Sequence, residues 1–294
     1  MSARYGELVS IVIPTHNRKD LLPDAIDSVL AQTYENTEII VVDDASTDGT
    51  PEMLTKRYGH LDNIACIVND RNCGPGYSRN TGVSYAKGDI VAFHDSDDLW
   101  MKDKLERQMK LLSEAPPDTA MVYCAMVKRQ GSYRLTVPDP GIPLEEKSGK
   151  GFLRNLLIRP FVGAPTMVIE KDCFISSGGF DESLGCLEDY EFSIRLALVS
   201  NIEMIEEPLY IQNLWREGSV NSDNLKFVSA LADIMDRYYD TYKKEDLLSD
   251  KLEYDFAVSM GRECAEVYLK KILTLGRPEY LAFVKDKLER AKGS

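Results

Sequence analysis

Apolar residues recur along the first hundred positions in two alternating periods. Leu8 to Ile13 is a nearly continuous apolar run closed by Pro14, the pattern of a strand buried on both faces. Leu22, Ala25, Ile26, Val29 and Leu30 then fall at helical spacing. Ile39 to Val42 is a second run, ended by Asp43-Asp44. Thr50 and Pro51 suit the N-cap and first position of a following helix. Ile64 to Val68, Tyr77 to Ala86 and Ile90 to Phe93 continue as strand, helix and strand. This β-α-β-α-β-α-β order predicts an α/β fold, a mostly parallel sheet flanked by helices. Ligands of such sheets bind beyond the carboxyl ends of the strands. Three of those ends carry polar clusters: Thr15-His16-Asn17, Asp43-Asp44 and Asp95-Ser96-Asp97-Asp98.

Beyond residue 100 the regularity drops. Lys102 to Ser113 reads as a helix, Ala120 to Val127 and Thr166 to Glu170 as strands, and Asp189 to Val199 as a helix. Pro138 to Lys150, rich in Pro, Gly and charge, reads as a loop. From Ser222 onward only helical periodicity remains. Leu225, Val228, Leu231, Ala232 and Met235 share one face, and Phe256, Met260, Cys264, Val267 and Tyr268 share another. Residues 222–294 are therefore expected to form a helical C-terminal region, for self-association or docking to a partner or membrane surface.

A formal net charge of −13 over 294 residues argues against a nucleic-acid groove, which needs a clustered basic face. It also means that any diphosphate would need local positive charge from arginines, helix N-termini or a divalent cation. The six cysteines are scattered with no CxxC pair, the pattern of reduced thiols in the cytosol. No apolar stretch approaches the ~20 residues of a membrane span. The expected setting is the cytoplasm, with peripheral contact at the inner face of a membrane compatible with it.

Two aspartates spaced D-x-D at a strand end, as in Asp95-Ser96-Asp97, can share one hard divalent cation that bridges two phosphates. Asp and Ser also dominate ordinary turns, so the spacing alone decides little. An acidic residue after an earlier strand, as at Asp43-Asp44, can accept hydrogen bonds from a ribose or a uracil N–H.

The segments Val9 to Arg18, Ser28 to Tyr34, Ile40 to Asp48 and Asn72 to Gly82, with Asp95-Ser96-Asp97-Asp98, resemble the successive motifs of family 2 glycosyltransferases. The resemblance runs over roughly residues 8 to 221, in the family's order. It implies a GT-A fold over residues 1–221, with a nucleotide-binding half to about 115 and an acceptor-binding half from about 116. It implies that Pro14, Thr15, His16, Asp44, Arg79, Asp95 and Ser96 hold the nucleotide, and that Asp97 binds Mn²⁺ or Mg²⁺. The segment Leu187-Glu188-Asp189-Tyr190 resembles the family's Glu-Asp motif, which makes Asp189 the general base of an inverting transfer. Glu188, Asp98 and Arg216 would support these residues. The implied donor is a UDP-sugar, and the implied acceptor a cell-surface polysaccharide, a lipid-linked saccharide or a teichoic-type polymer.

Two departures matter. Trp215 to Asn221 lacks the histidine that many members carry there, and the Q-x-x-R-W motif of processive synthases is missing, which favours one sugar per encounter. A catalytically inactive sugar-nucleotide-binding scaffold is one rival reading. A nucleotidyltransferase is a weaker one, because Pro14-Thr15-His16-Asn17 is not a glycine-rich basic loop.

Overall fold

A computed structural model describes residues 6–214 and 224–292. Its contacts divide the chain into two compact units: Met1–Leu153, Phe161–Ser183 and Glu188–Arg216 form one, and Arg154–Pro160, Leu184–Leu187 and Glu217–Ser294 the other.

The first unit is built on a nine-stranded sheet. Its strands are β1 (Val9–Thr15), β2 (Thr37–Asp43), β3 (Ile64–Val68), β4 (Ile90–Phe93), β5 (Leu99–Trp100), β6 (Thr119–Gln130), β7 (Tyr133–Val137), β8 (Met167–Glu170) and β9 (Asn201–Asn213). The order is β3-β2-β1-β4-β8-β6-β9-β5, with β7 paired to β6. The four strands read from the first hundred residues form the expected parallel block. The sheet as a whole is mixed instead of mostly parallel, because β8 runs antiparallel to both β4 and β6.

Helices α1 (Leu22–Leu30), α2 (Thr50–Tyr58), α3 (Pro75–Tyr85) and α4 (Lys104–Glu114) flank this sheet. β1 is buried along its whole length, as its unbroken apolar run requires. Val9, Ile11 and Ile13 share one core with Leu22, Ile26 and Val29 of α1 and with Leu54 of α2. On the other face α3 lies so close that a Cβ at Gly82 would collide with Val12. α2 begins one residue earlier than expected, after Gly49. Asp48, not Thr50, supplies the side-chain acceptor there, taking both the N–H (3.0 Å) and the hydroxyl of Thr50 (2.6 Å).

Further along come α5 (Phe152–Ile158), α6 (Lys171–Ser176) and α7 (Glu188–Ala197). Four rings, Phe93, Phe174, Phe180 and Phe192, pack with centroids 5.0–5.4 Å apart and fix α6 and α7 against the end of β4. Each such pair contributes about 0.5–1.5 kcal/mol beyond the area it buries.

The second unit holds α8 (Asn224–Arg237), α9 (Tyr239–Lys244), α10 (Leu248–Gly261), α11 (Ala265–Thr274) and α12 (Pro278–Lys292). On α8, Val228, Leu231, Ala232 and Met235 are fully buried as expected, but Leu225 is exposed. The second expected stripe is not one helix face: α10 stops at Gly261, Cys264 and Tyr268 are buried, and Met260 and Val267 are exposed. Beside buried Leu248 and Leu252, α10 also buries a polar row, Lys251, Asp255 and Ser259, with Lys251 Nζ 2.8 Å from Asp255 Oδ1. Among the described residues no helix is long and apolar enough to cross a membrane.

Candidate active site at the carboxyl edge of the sheet

The ends of β1 and β2 meet where Thr15 and Asp43 are register partners. Both side chains are buried. Asp43 Oδ2 accepts the Ser46 N–H at 2.9 Å, whereas Asp43 Oδ1 and Thr15 Oγ1 have no partner among the described residues. A buried polar atom left unpaired costs about 1–3 kcal/mol, so two at one strand edge suit a polar ligand. Asp44 is differently placed. Its carboxylate accepts the N–H groups of Cys73 and Gly74 and the amide of Asn69 at 2.8–3.1 Å, and so builds the loop that leads into α3. His16 lies 2.7 Å from the Asp44 carbonyl through Nδ1, which therefore carries the proton and donates it. Asn17 and Ala45 both hold positive φ, 52° and 58°, and Asn17 ties the two loops together through Ser46 and Thr47. Strain of this kind persists only where the surroundings over-determine it.

The loop after β4 carries the acidic cluster. Asp95 Oδ1 accepts Arg79 Nη2 at 2.7 Å, and Asp97 Oδ2 lies 3.9 Å from Arg18 Nε. Both carboxylates remain reachable by solvent, at 26% and 21% side-chain exposure, and Ser96 between them is buried. Asp98 turns inward: the Tyr210 hydroxyl donates to one oxygen and the Asn213 N–H to the other at 2.7 Å. Burial first, then repulsion from Asp95 and Asp97, pushes the Asp98 carboxyl up to about 8. Asn213 also donates to the Asp97 carbonyl at 2.8 Å, so the end of β9 fixes the loop. Asp95 and Asp97 thus fit a shared divalent cation and Asp98 does not, its oxygens being committed to protein donors. No group of three or more His, Cys, Asp or Glu is placed to hold a metal among the described residues. Further positions around a cation would have to come from ligand oxygens and water.

α7 presents the third cluster. Leu187, just before it, holds φ 63°. Glu188 Oε1 accepts Arg79 Nη1 at 2.6 Å, so one buried guanidinium spans Asp95 and Glu188. Burial opposes the charge on Arg79, but Asp95 and then Glu188 outweigh it and raise the pKa. Asp189 accepts the N–H of Tyr190 at 2.8 Å and of Ala164 at 3.1 Å. Burial, and next the neighbouring Glu188, push its carboxyl up to about 6 against the pull of Arg79. A carboxylate near that value is suited to taking a proton at neutral pH.

Thr15, Asp95, Arg79, Glu188 and Asp189 therefore lie along linked loops of one sheet edge. Pro14 contributes backbone at the end of β1. Arg216 lies outside the described residues. A cavity of about 810 Å³ opens beside α2, lined by Lys19, Glu52, Lys56 and Arg57 among others. It contains none of these candidate carboxylates, and volume alone does not make it the reaction site.

Several supporting residues escape a motif-by-motif reading. Asn80 grips the backbone N–H and carbonyl of Phe180, each at 2.9 Å. Arg195 donates to the carbonyls of Ser177 and Gly179 and pairs with Glu191. Together they hold the Gly178-Gly179 turn, where a Cβ at Gly179 would strike the Asn80 side chain at 2.8 Å. The adjacent glycines were the available signal; their partners were not. His94 is fully buried between Trp100 and Tyr210, and burial, with Lys104 nearby, lowers its pKa to about 3, so it is neutral packing beneath the acidic loop.

Comparison with known proteins agrees with this architecture. Residues 10–168 match the model of Glycosyl transferase family 2. An uncharacterized glycosyltransferase of Haemophilus influenzae is 30% identical over 89% of this chain and 88% of its own length. Over 36% of this chain and 41% of its own length, the Escherichia coli UDP-Glc:alpha-D-GlcNAc-diphosphoundecaprenol beta-1,3-glucosyltransferase WfaP is 42% identical. Among solved structures, Staphylococcus aureus TarS 1-349 in complex with UDP-GlcNAc superposes with a TM-score of 0.66 at 23% identity, over 85% of this chain and 72% of that one. The mannosyltransferase PcManGT of Pyrobaculum calidifontis, in complex with GDP-Man and Mn²⁺, gives 0.66 at 20% identity, over 98% of this chain and 81% of that one. The class is therefore a GT-A glycosyltransferase fold with C-terminal helices. The chain belongs to glycosyltransferase family 2.

Proposed function

We propose that this glycosyltransferase moves one sugar from a UDP-linked donor onto a saccharide or lipid-linked acceptor of the cell envelope, with inversion at the anomeric carbon. The observation that carries the reading is the single buried Arg79, which joins the acidic loop of β4 to the Glu188-Asp189 start of α7. It brings donor-side and acceptor-side carboxylates to one edge. An in-line displacement needs this arrangement, with a base on the face opposite the leaving diphosphate. Asp189 takes the proton of the acceptor hydroxyl as the new glycosidic bond forms. Thr15 and Asp43 offer their unpaired oxygens to the nucleoside, while Asp44 and His16 hold the surrounding loops in shape.

Asp97, with Asp95, holds Mn²⁺ or Mg²⁺, which supplies positive charge to the diphosphate in an otherwise acidic chain. The Mn²⁺ complex of PcManGT and the undecaprenol-linked substrate in the WfaP name support the cation and the acceptor class respectively. Residues 1–221 are assigned to the transferase domain and 222–294 to a helical appendage for self-association or docking.

Titration of UDP by calorimetry, with Mn²⁺ and then with EDTA, tests the donor side. Binding should require the cation, and Asp97→Ala should abolish the difference. Equal affinity under both conditions removes the metal from the reading. Release of UDP from a panel of UDP-sugars tests turnover, and binding without release under every acceptor condition favours an inactive scaffold.

A further inference from the structure

Each of the two carboxylates proposed for the cation already faces an arginine. Arg79 is buried and anchored on two sides. Arg18 differs: its contact with Asp97 is long, at 3.9 Å, both side chains are about four-fifths covered, and among the described residues no second carboxylate pairs with it. The backbone beneath it is rigid, because Asn17 is locked at positive φ by Ser46 and Thr47. Its carbonyl accepts the N–H groups of Leu21 and Leu22 at the start of α1. Arg18 is therefore a cationic arm on a fixed base, in long contact with one of the two solvent-reachable carboxylates.

Charge balance says what such an arm does. In the free protein Arg18 faces Asp97, while Arg79 is shared by Asp95 and Glu188. A divalent cation brought to those carboxylates would meet the like charge of Arg18 at Asp97, while the arriving diphosphate brings negative charge that Arg18 can meet. Exchange of partners gives Arg18 a counter-charge in both states.

We infer that Arg18 is a donor-site positioning residue that holds Asp97 in the free protein and passes to the donor diphosphate once Asp97 binds the cation. The inference rests on the proposed nucleotide-sugar reading and adds a residue to it. It predicts effects of opposite sign for one substitution. In Arg18→Ala, Mn²⁺ alone, followed by its electron-spin signal, should bind about two- to fivefold tighter, the scale of a partly exposed ion pair. UDP in saturating Mn²⁺, followed by calorimetry, should bind about tenfold weaker, the scale of one charge-assisted hydrogen bond. Arg18→Lys should retain part of the UDP affinity, because a point charge survives without the planar fork. The substitution leaves the start of α1 intact, and an unchanged melting temperature verifies this. Both affinities moving in one direction, or UDP affinity staying constant, overturns the inference. Wild-type protein that binds neither UDP nor GDP in Mn²⁺ overturns the donor reading itself, and the inference with it.

Discussion

Two aspartates, Asp189 partly buried in the sheet unit and Asp255 fully buried in the helical unit, are pushed up to about 6 by the same first cause, burial. Their surroundings differ. Asp255 is sealed, fully buried and paired 2.8 Å from the equally buried Lys251, whose own pKa is raised by that partner in spite of burial. Among the described residues no ammonium pairs with Asp189. It is repelled by Glu188, and drawn down by Arg79 and by the two backbone N–H groups that steady it. A perturbed carboxyl is thus no mark of function in itself. What separates the two is the counter-charge: Asp255 has a full one in Lys251 at 2.8 Å, and Asp189 is held by backbone N–H groups.

The largest expected effect falls on the sealed pair. Asp255→Ala strands Lys251 in the core and should cost about 3–5 kcal/mol of stability, read from the denaturant midpoint. Loss of less than about 1 kcal/mol, the scale of a surface ion pair, would mean that water reaches this pair and would erase the contrast.

Asp189→Asn should act the other way round. Turnover should drop by about 100-fold or more, the scale of general-base loss, with UDP affinity and the melting temperature nearly unchanged. If Glu188→Gln loses turnover and Asp189→Asn does not, the base is the neighbouring carboxylate.

The smallest effect is a pH dependence of opposite signs. A base near 6 makes kcat/KM rise about tenfold per pH unit below that value and level off above it. Because folding raises the Asp189 carboxyl, its contribution to stability is present below the unfolded value near 3.8 and is lost as pH rises through about 6. Subtracting the pH–stability curve of Asp189→Asn from that of the wild type should isolate a term that declines between pH 4 and 6. A rate that falls over the window where it should rise would remove Asp189 as the proton acceptor.

The sequence by itself determined the parallel block. β1, β2 and β4 are short strands whose apolar runs are buried, β3 is a half-exposed edge strand, and α1 to α3 intervene at helical spacing, so period and length identify them without knowledge of their partners. The strand-end pattern likewise marked Thr15, Asp95 and Asp97, because strand ends place polar residues predictably at one edge, whereas Asp189 on α7 was marked by the family resemblance. β9 was not legible: Glu203, Glu206, Glu207 and Pro208 interrupt its alternation, and its pairing with β6 shifts register between Cys124 and Met126. The polar row on α10 was equally hidden, since a hydrophobic stripe cannot reveal that Lys251 and Asp255 are buried together. Only the tertiary structure decided that Arg79 spans Asp95 and Glu188, and that Asp98 is spent on Tyr210 and Asn213. All but one of those partners lie more than 100 residues away along the chain. Local periodicity records which face of an element is apolar. It does not record which distant polar group will stand opposite once that face is covered.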